Sequence, residues 1–86
     1  MADVISKTVT LTNETGLHAR PASEFVKAAS SYDADVKVNG VDAKSLLGIM
    51  AMGAKKGTEL EIAASGAQAQ DAVDGLVALV ESGFGE

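Results

Sequence analysis

The apolar period of this chain switches between two and about 3.6 residues several times, which limits it to a mixed fold of strands and helices. From Val4 to Thr12, Val4, Ile5, Val9 and Leu11 mix with Thr8, Thr10 and Thr12, predicting a strand with Val9 and Leu11 facing inward. Asn13, Glu14, Thr15 and Gly16 break it into a loop. Ala22, Phe25, Val26 and Ala29 then fall at i, i+3, i+4 and i+7, one stripe of a helix running to Ser30. Pro21 suits the first turn of that helix, where its missing N–H is no loss, so the helix starts at about Ala19 or Arg20. Ala34, Val36 and Val38 alternate with Asp35 and Lys37, and Asn39-Gly40 is a two-residue hairpin signal returning into Val41 to Ala43. Ser45 is placed to cap a short helix within Leu46 to Met52, and Gly53, Lys55, Lys56 and Gly57 form a turn. Leu60, Ile62 and Ala64 mark a last strand, ended by Ser65 and Gly66. Ala69, Ala72, Val73, Leu76, Val77 and Val80 line a final helix with Asp71 and Asp74 near its positive end and no strong N-cap. Gly75 inside that helix costs roughly 1 kcal/mol relative to alanine.

The order strand, helix, strand, strand, short helix, strand, helix predicts an α+β domain with helices on one face of a sheet. Eighty-six residues make one domain, 1–86, since two cores would not fit. With 47% apolar but only 3% aromatic residues, the core must be built from small side chains. The chain has no cysteine, which removes disulfides, thiolate catalysis and Cys-based metal sites, and a single histidine rules out a multi-histidine metal site. No metal and no cofactor is expected in this chain. A net charge of −5 argues against non-specific binding to nucleic acid or anionic membranes. No apolar run reaches the ~18 residues of a membrane span, and Met1 to Leu11 carries Asp3 and no long apolar core, so neither membrane insertion nor a signal peptide is expected. The default address is the cytoplasm.

His18 is the one side chain whose ordinary titration lies near neutrality. It follows Gly16, which permits an unusual backbone angle, and precedes Pro21, which fixes a helix start. A side chain there faces the unpaired amides and positive end of the helix, an environment that favours phosphate. An imidazole nitrogen so placed can accept a phosphoryl group as a phosphoramidate, with Arg20 adding a guanidinium two residues on. Ser23, one turn in, adds a hydroxyl of no assigned use. Taken singly, a loop histidine is more often solvated or a cap, an arginine a solvent-facing charge, and Ser45 an ordinary N-cap. Spacing alone leaves these alternatives open.

The run Gly16, Leu17, His18, Ala19, Arg20, Pro21, Ala22, Ser23 resembles the active-site signature of the HPr family, histidine phosphocarriers of the bacterial sugar phosphotransferase system. A second run, Lys44, Ser45, Leu46, Leu47, Gly48, Ile49, Met50, Ala51, Met52, Gly53, resembles that family's segment around a regulatory serine. Tyr32 to Val36 and Ala63 to Ala67 also fit, so the resemblance covers essentially the whole chain. It implies an open-faced β-sandwich, a four-stranded antiparallel sheet with three helices on one face. It implies that His18 takes phosphate on Nδ1 from phosphorylated enzyme I and passes it to the IIA domains of sugar permeases, with Arg20 as charge partner. It implies a carrier rather than a turnover enzyme, acting as a monomer. Ser45 would be the target of an HPr kinase/phosphorylase, with a catabolite-control transcription factor as a further partner. Lys27, Leu46, Leu47 and Met50 match partner-contact positions.

Five apolar residues in the seven from Leu46 to Met52 cannot all face inward on a short helix, so part of that set is expected at the surface. A phosphate on Ser45 would add roughly −1.5 to −2 charge beside them. Three departures from the family pattern stand out: Glu24 puts an acid into the helix after His18, expected in its first turn; the Asn39-Gly40 hairpin is short; and the N-terminus runs a few residues long. An acyl carrier protein is the rival from another class, but Lys44 precedes Ser45 where that family has aspartate, and the alternating strands contradict a helical bundle. A purely regulatory relative lacks the active histidine, so His18 with Arg20 argues against it. A nitrogen-related paralogue in a separate phosphorelay would keep the same motif.

Overall fold

Threonine and β-branched residues build the first element, and the computed structural model, which describes residues 4–85, shows it as β1 over Ile5–Thr10. The other elements are α1 at Ala19–Ser30, β2 at Asp35–Val38, β3 at Val41–Asp42, α2 at Leu46–Ala51, β4 at Glu59–Ser65 and α3 at Ala69–Glu81. A single 3₁₀ turn at Gly83–Gly85 follows α3. The expectations that involve Met1 to Asp3 lie outside the described residues.

All pairings are antiparallel and the sheet runs β1-β4-β2-β3, so the last strand in sequence sits inside the sheet. Register puts Val9 opposite Leu60 and Val38 opposite Ile62. Val9, Leu60, Ile62, Ala64, Val36 and Val38 are all buried, as their alternation predicts. They meet Ala22, Phe25 and Ala29 of α1, Ile49 of α2, and Ala69, Ala72, Val73, Leu76 and Val80 of α3 in one core. Glu59, Glu61, Thr8, Thr10, Asp35 and Lys37 point the other way and are exposed. This is the open-faced sandwich, a four-stranded antiparallel sheet with three helices on one face.

Several boundaries differ from the sequence reading for local reasons. Leu11 lies inward at 1% exposure but has left the strand pairing, donating its N–H to Thr58 O (2.9 Å) and accepting from Gly57 N (2.8 Å). Lys7 follows the inward alternation of β1 yet stays exposed, because its ammonium reaches Asp74 Oδ1 on α3 at 3.2 Å. Asp74 is therefore a partner of β1 rather than an acid complementing the helix dipole. The weak start of α3 is offset at Gln68, whose Oε1 accepts from Asp33 N (2.7 Å) and whose N–H donates to Asp33 O (2.9 Å). Gly75 is accounted for by packing: a Cβ there would collide with the hydroxyl of Tyr32, which follows the end of α1.

Candidate functional site

The segment between β1 and α1 turns on itself before it reaches His18. Gly16 N–H donates to Asn13 O (3.2 Å), and the Asn13 side chain Nδ2 donates to Gly16 O (2.8 Å) and Thr15 Oγ1 (3.2 Å). Gly16 takes the left-handed conformation at φ +59°, and a Cβ on it would run into Ala54 O and lie 2.7 Å from Lys55 Cα. Leu17 N–H completes the seat by donating to Ala54 O at 3.0 Å. The loop between α2 and β4 is thus the support on which the His18 segment rests. Lys56 Nζ bonds Glu14 Oε1 at 2.6 Å across the same junction, and that hydrogen bond and positive charge hold the Glu14 carboxyl below its ordinary pKa.

His18 itself is exposed and is the N-cap of α1, with extended backbone at φ −74° and ψ −178° and no side-chain cap bond. Its carbonyl accepts the first helical hydrogen bond, from Ala22 N at 2.8 Å. Pro21 has no N–H, so Ala19 and Arg20 carry the amides of the first turn that the helix leaves open. An imidazole at this position shares its surroundings with two free donors and the positive end of a twelve-residue helix.

The other expected site residues are distributed around α1 and α2. Arg20 is two residues along, with 89% of its side chain exposed, and its guanidinium is 3.9 Å from Glu24 Oε1. Glu24 lies in the second turn, not the first, because the helix begins at Ala19; it acts on Arg20 more than on the helix dipole. Lys27 is exposed in the last turn of α1, roughly 13 Å along the axis from His18 at 1.5 Å per residue. Ser45 caps α2, its Oγ accepting from Gly48 N at 3.1 Å. Leu46, Leu47 and Met50 are exposed at 41%, 82% and 40% on that helix, while Ile49 is buried. Lys44, adjacent to Ser45 in sequence, sends its ammonium to Tyr32 O (3.4 Å) instead.

Asn13 escaped the sequence reading, which treated it only as a loop residue. It is the one buried polar side chain among the described residues, 4% exposed, and its Oδ1 has no hydrogen-bond partner. Such a buried oxygen costs about 1–3 kcal/mol. An asparagine three residues before a glycine in a turn was the available signal. The support at Ala54 left no signal, since only the folded chain brings residues so distant in sequence together. Among the described residues no group of three or more His, Cys, Asp or Glu is arranged to hold a metal ion. No helix of the described residues is long and apolar enough to cross a membrane.

The family model for the PTS HPr component phosphorylation site matches residues 5–82. Phosphocarrier protein HPr of Vibrio cholerae is 49% identical over 79 residues, covering 87% of this chain and 93% of that protein. The multiphosphoryl transfer protein of Haemophilus influenzae is 44% identical over 92 residues, which cover 99% of this chain and only 18% of that longer protein. Phosphocarrier protein NPr of Escherichia coli is 32% identical over 87 residues, covering 95% of this chain and 97% of that protein. Among solved structures, HPr-C-His of Thermoanaerobacter tengcongensis matches with a TM-score of 0.86 and 41% identity, over 95% of this chain and 97% of that one. Fold, motif order and sequence therefore agree, and the chain belongs to the HPr family of phosphocarriers of the phosphotransferase system.

Proposed function

We propose that His18 is the residue that carries the phosphoryl group. The observation that supports this most directly is its placement as the exposed N-cap of α1, beside the open amides of Ala19 and Arg20. A neutral imidazole nitrogen, Nδ1 by family resemblance, attacks the phosphorus held on enzyme I. A new N–P bond forms as the bond to the donor breaks. The equatorial oxygens of the transferring group, which bear the charge, meet the two amides and the helix end. Arg20 is the charge partner: its long, solvent-exposed contact with Glu24 costs little to give up. The second transfer, to the IIA domains of sugar permeases, runs the same chemistry in reverse at His18. The chain is a carrier consumed and regenerated in relay, with no turnover site, cofactor or metal of its own.

Leu46, Leu47 and Met50 form an exposed apolar face on α2, and with Lys27 they supply the docking surface for these partners. Phosphorylation of Ser45 by an HPr kinase/phosphorylase would put a dianion at the edge of that face, penalising acidic or apolar partners and favouring a catabolite-control transcription factor. This reading goes with one 86-residue domain working as a monomer in the cytoplasm. A second reading, a nitrogen-related relay, is favoured by the match to NPr at 32% identity. It retains His18 and changes only the partners.

Incubation with phosphoenolpyruvate, magnesium and enzyme I should add one acid-labile, base-stable phosphate, absent from a His18→Ala chain. Equal labelling of that variant would overturn the assignment. Running the reaction in parallel with the enzyme I of a sugar system and its nitrogen-system counterpart separates the two readings by rate. Treatment with ATP and an HPr kinase/phosphorylase should give acid-stable phosphoserine, abolished by Ser45→Ala.

A further inference from the structure

The peptide unit joining Gly16 to Leu17 is held at both of its polar ends. Its carbonyl oxygen accepts from Asn13 Nδ2 at 2.8 Å, and its N–H donates to Ala54 O at 3.0 Å. A peptide plane has one donor and one acceptor, so with both engaged on opposite supports it cannot rotate. That plane is the last one before the Leu17–His18 step, and Leu17 is itself buried at 3% exposure. The direction in which the chain delivers His18 is therefore set by one side chain, Asn13, and one backbone carbonyl.

Asn13 is an expensive choice if its task were only to fill space. It is the sole buried polar side chain among the described residues, and its Oδ1 is left without a partner. An apolar residue of similar volume would avoid that unpaired oxygen but would strand Gly16 O. An aspartate would keep the shape but set a carboxylate against that carbonyl. Only an amide, or a protonated acid, offers a donor of this length at this place.

We infer that Asn13 is a positioning residue for His18: its side-chain amide locks the Gly16–Leu17 peptide and thereby fixes how the imidazole is presented to an incoming phosphoryl group. The inference rests on the assignment of His18 as acceptor. It predicts that loosening this peptide harms the chemical step more than docking, because the α2 face that partners contact lies on another element. Displacement of a reacting group by about 1 Å is enough to slow a transfer on the order of 100-fold.

The test uses the full chain with Asn13→Ala and Asn13→Asp. With enzyme I and phosphoenolpyruvate, Asn13→Ala should lower kcat for phosphorylation at least tenfold while KM changes less than about threefold. Amide NMR spectra should keep the pattern of β1–β4 and α3 and show shifts confined to residues 13–20 and 53–58. In Asn13→Asp, the amides of Leu17 and His18 should return toward their wild-type positions as the pH falls and the introduced carboxyl gains the proton that Gly16 O needs. Unchanged kcat in Asn13→Ala, or Leu17 and His18 amides in Asn13→Asp that ignore pH, would overturn the inference. A wild-type chain that fails to label at His18 would instead overturn the acceptor assignment, and the amide shifts would still report on the Gly16–Leu17 lock.

Discussion

Gly16 shows how little room the site leaves at single residues. Its positive φ and its contact with the Ala54–Lys55 backbone make any side chain costly twice over, by conformation and by overlap. Gly16→Ala should lose about 2 kcal/mol or more, read as a fall in the urea midpoint, and should slow phosphorylation of His18 even under conditions where the variant is folded. His18, Arg20 and Ser45 were singled out because each stands in a family-like motif beside a helix start. Asn13 was not, because its importance comes from burial and from a bond to Gly16 O, and neither is visible in a loop of turn-forming residues. Arg20 was legible as a charge; its contact with Glu24 is the i, i+4 spacing of a helix that contains both residues and places Glu24 in its second turn.

At the scale of elements, short-range signals located nearly everything. Ser45 was expected to cap α2 and does, so Ser45→Ala should cost about 1 kcal/mol in thermal or chemical unfolding and raise hydrogen exchange at Gly48. The start of α3 was the weak point of the sequence reading, since its stabilising partner is the Asp33 backbone and not a local cap. Gly75 makes a sharper case. Helix propensity says that Gly75→Ala gains about 1 kcal/mol, whereas the Tyr32 hydroxyl lying on Gly75 says that it loses. The expected result is destabilisation in the wild-type background and stabilisation in a Tyr32→Ala background, a change of sign that a double-mutant cycle in urea measures directly. No sequence window contains both residues, so propensity alone gives the wrong sign.

At the scale of the whole fold, two ion pairs among the described residues join segments far apart in the chain: Lys56 to Glu14 at the site, and Lys7 to Asp74 between sheet and α3. Both carboxyls are held below their ordinary pKa, Glu14 by the hydrogen bond and charge of Lys56, Asp74 first by the Gln70 amide and then by Lys7. A depressed folded-state value means that their contribution is present above the unfolded carboxylate range and is lost as the pH falls through the lowered values. Unfolding midpoints followed from pH 7 to pH 2 should therefore decline at the acidic end. Lys56→Met should make that decline shallower, and high salt should do the same, since both pairs are exposed. The alternating periods made the α+β class and the strand faces readable, and the resemblance implied a four-stranded antiparallel sheet, while the strand order came only from the folded chain. That order, with β4 between β1 and β2, has a consequence for synthesis. A chain emerging from the ribosome exposes His18 early, but β1 has no partner until Glu59–Ser65 appears, and Gly16 has no seat until Ala54 does. The order of translation is thus the reverse of the order of need: an unfinished chain carries His18 before the backbone that seats its segment has been made.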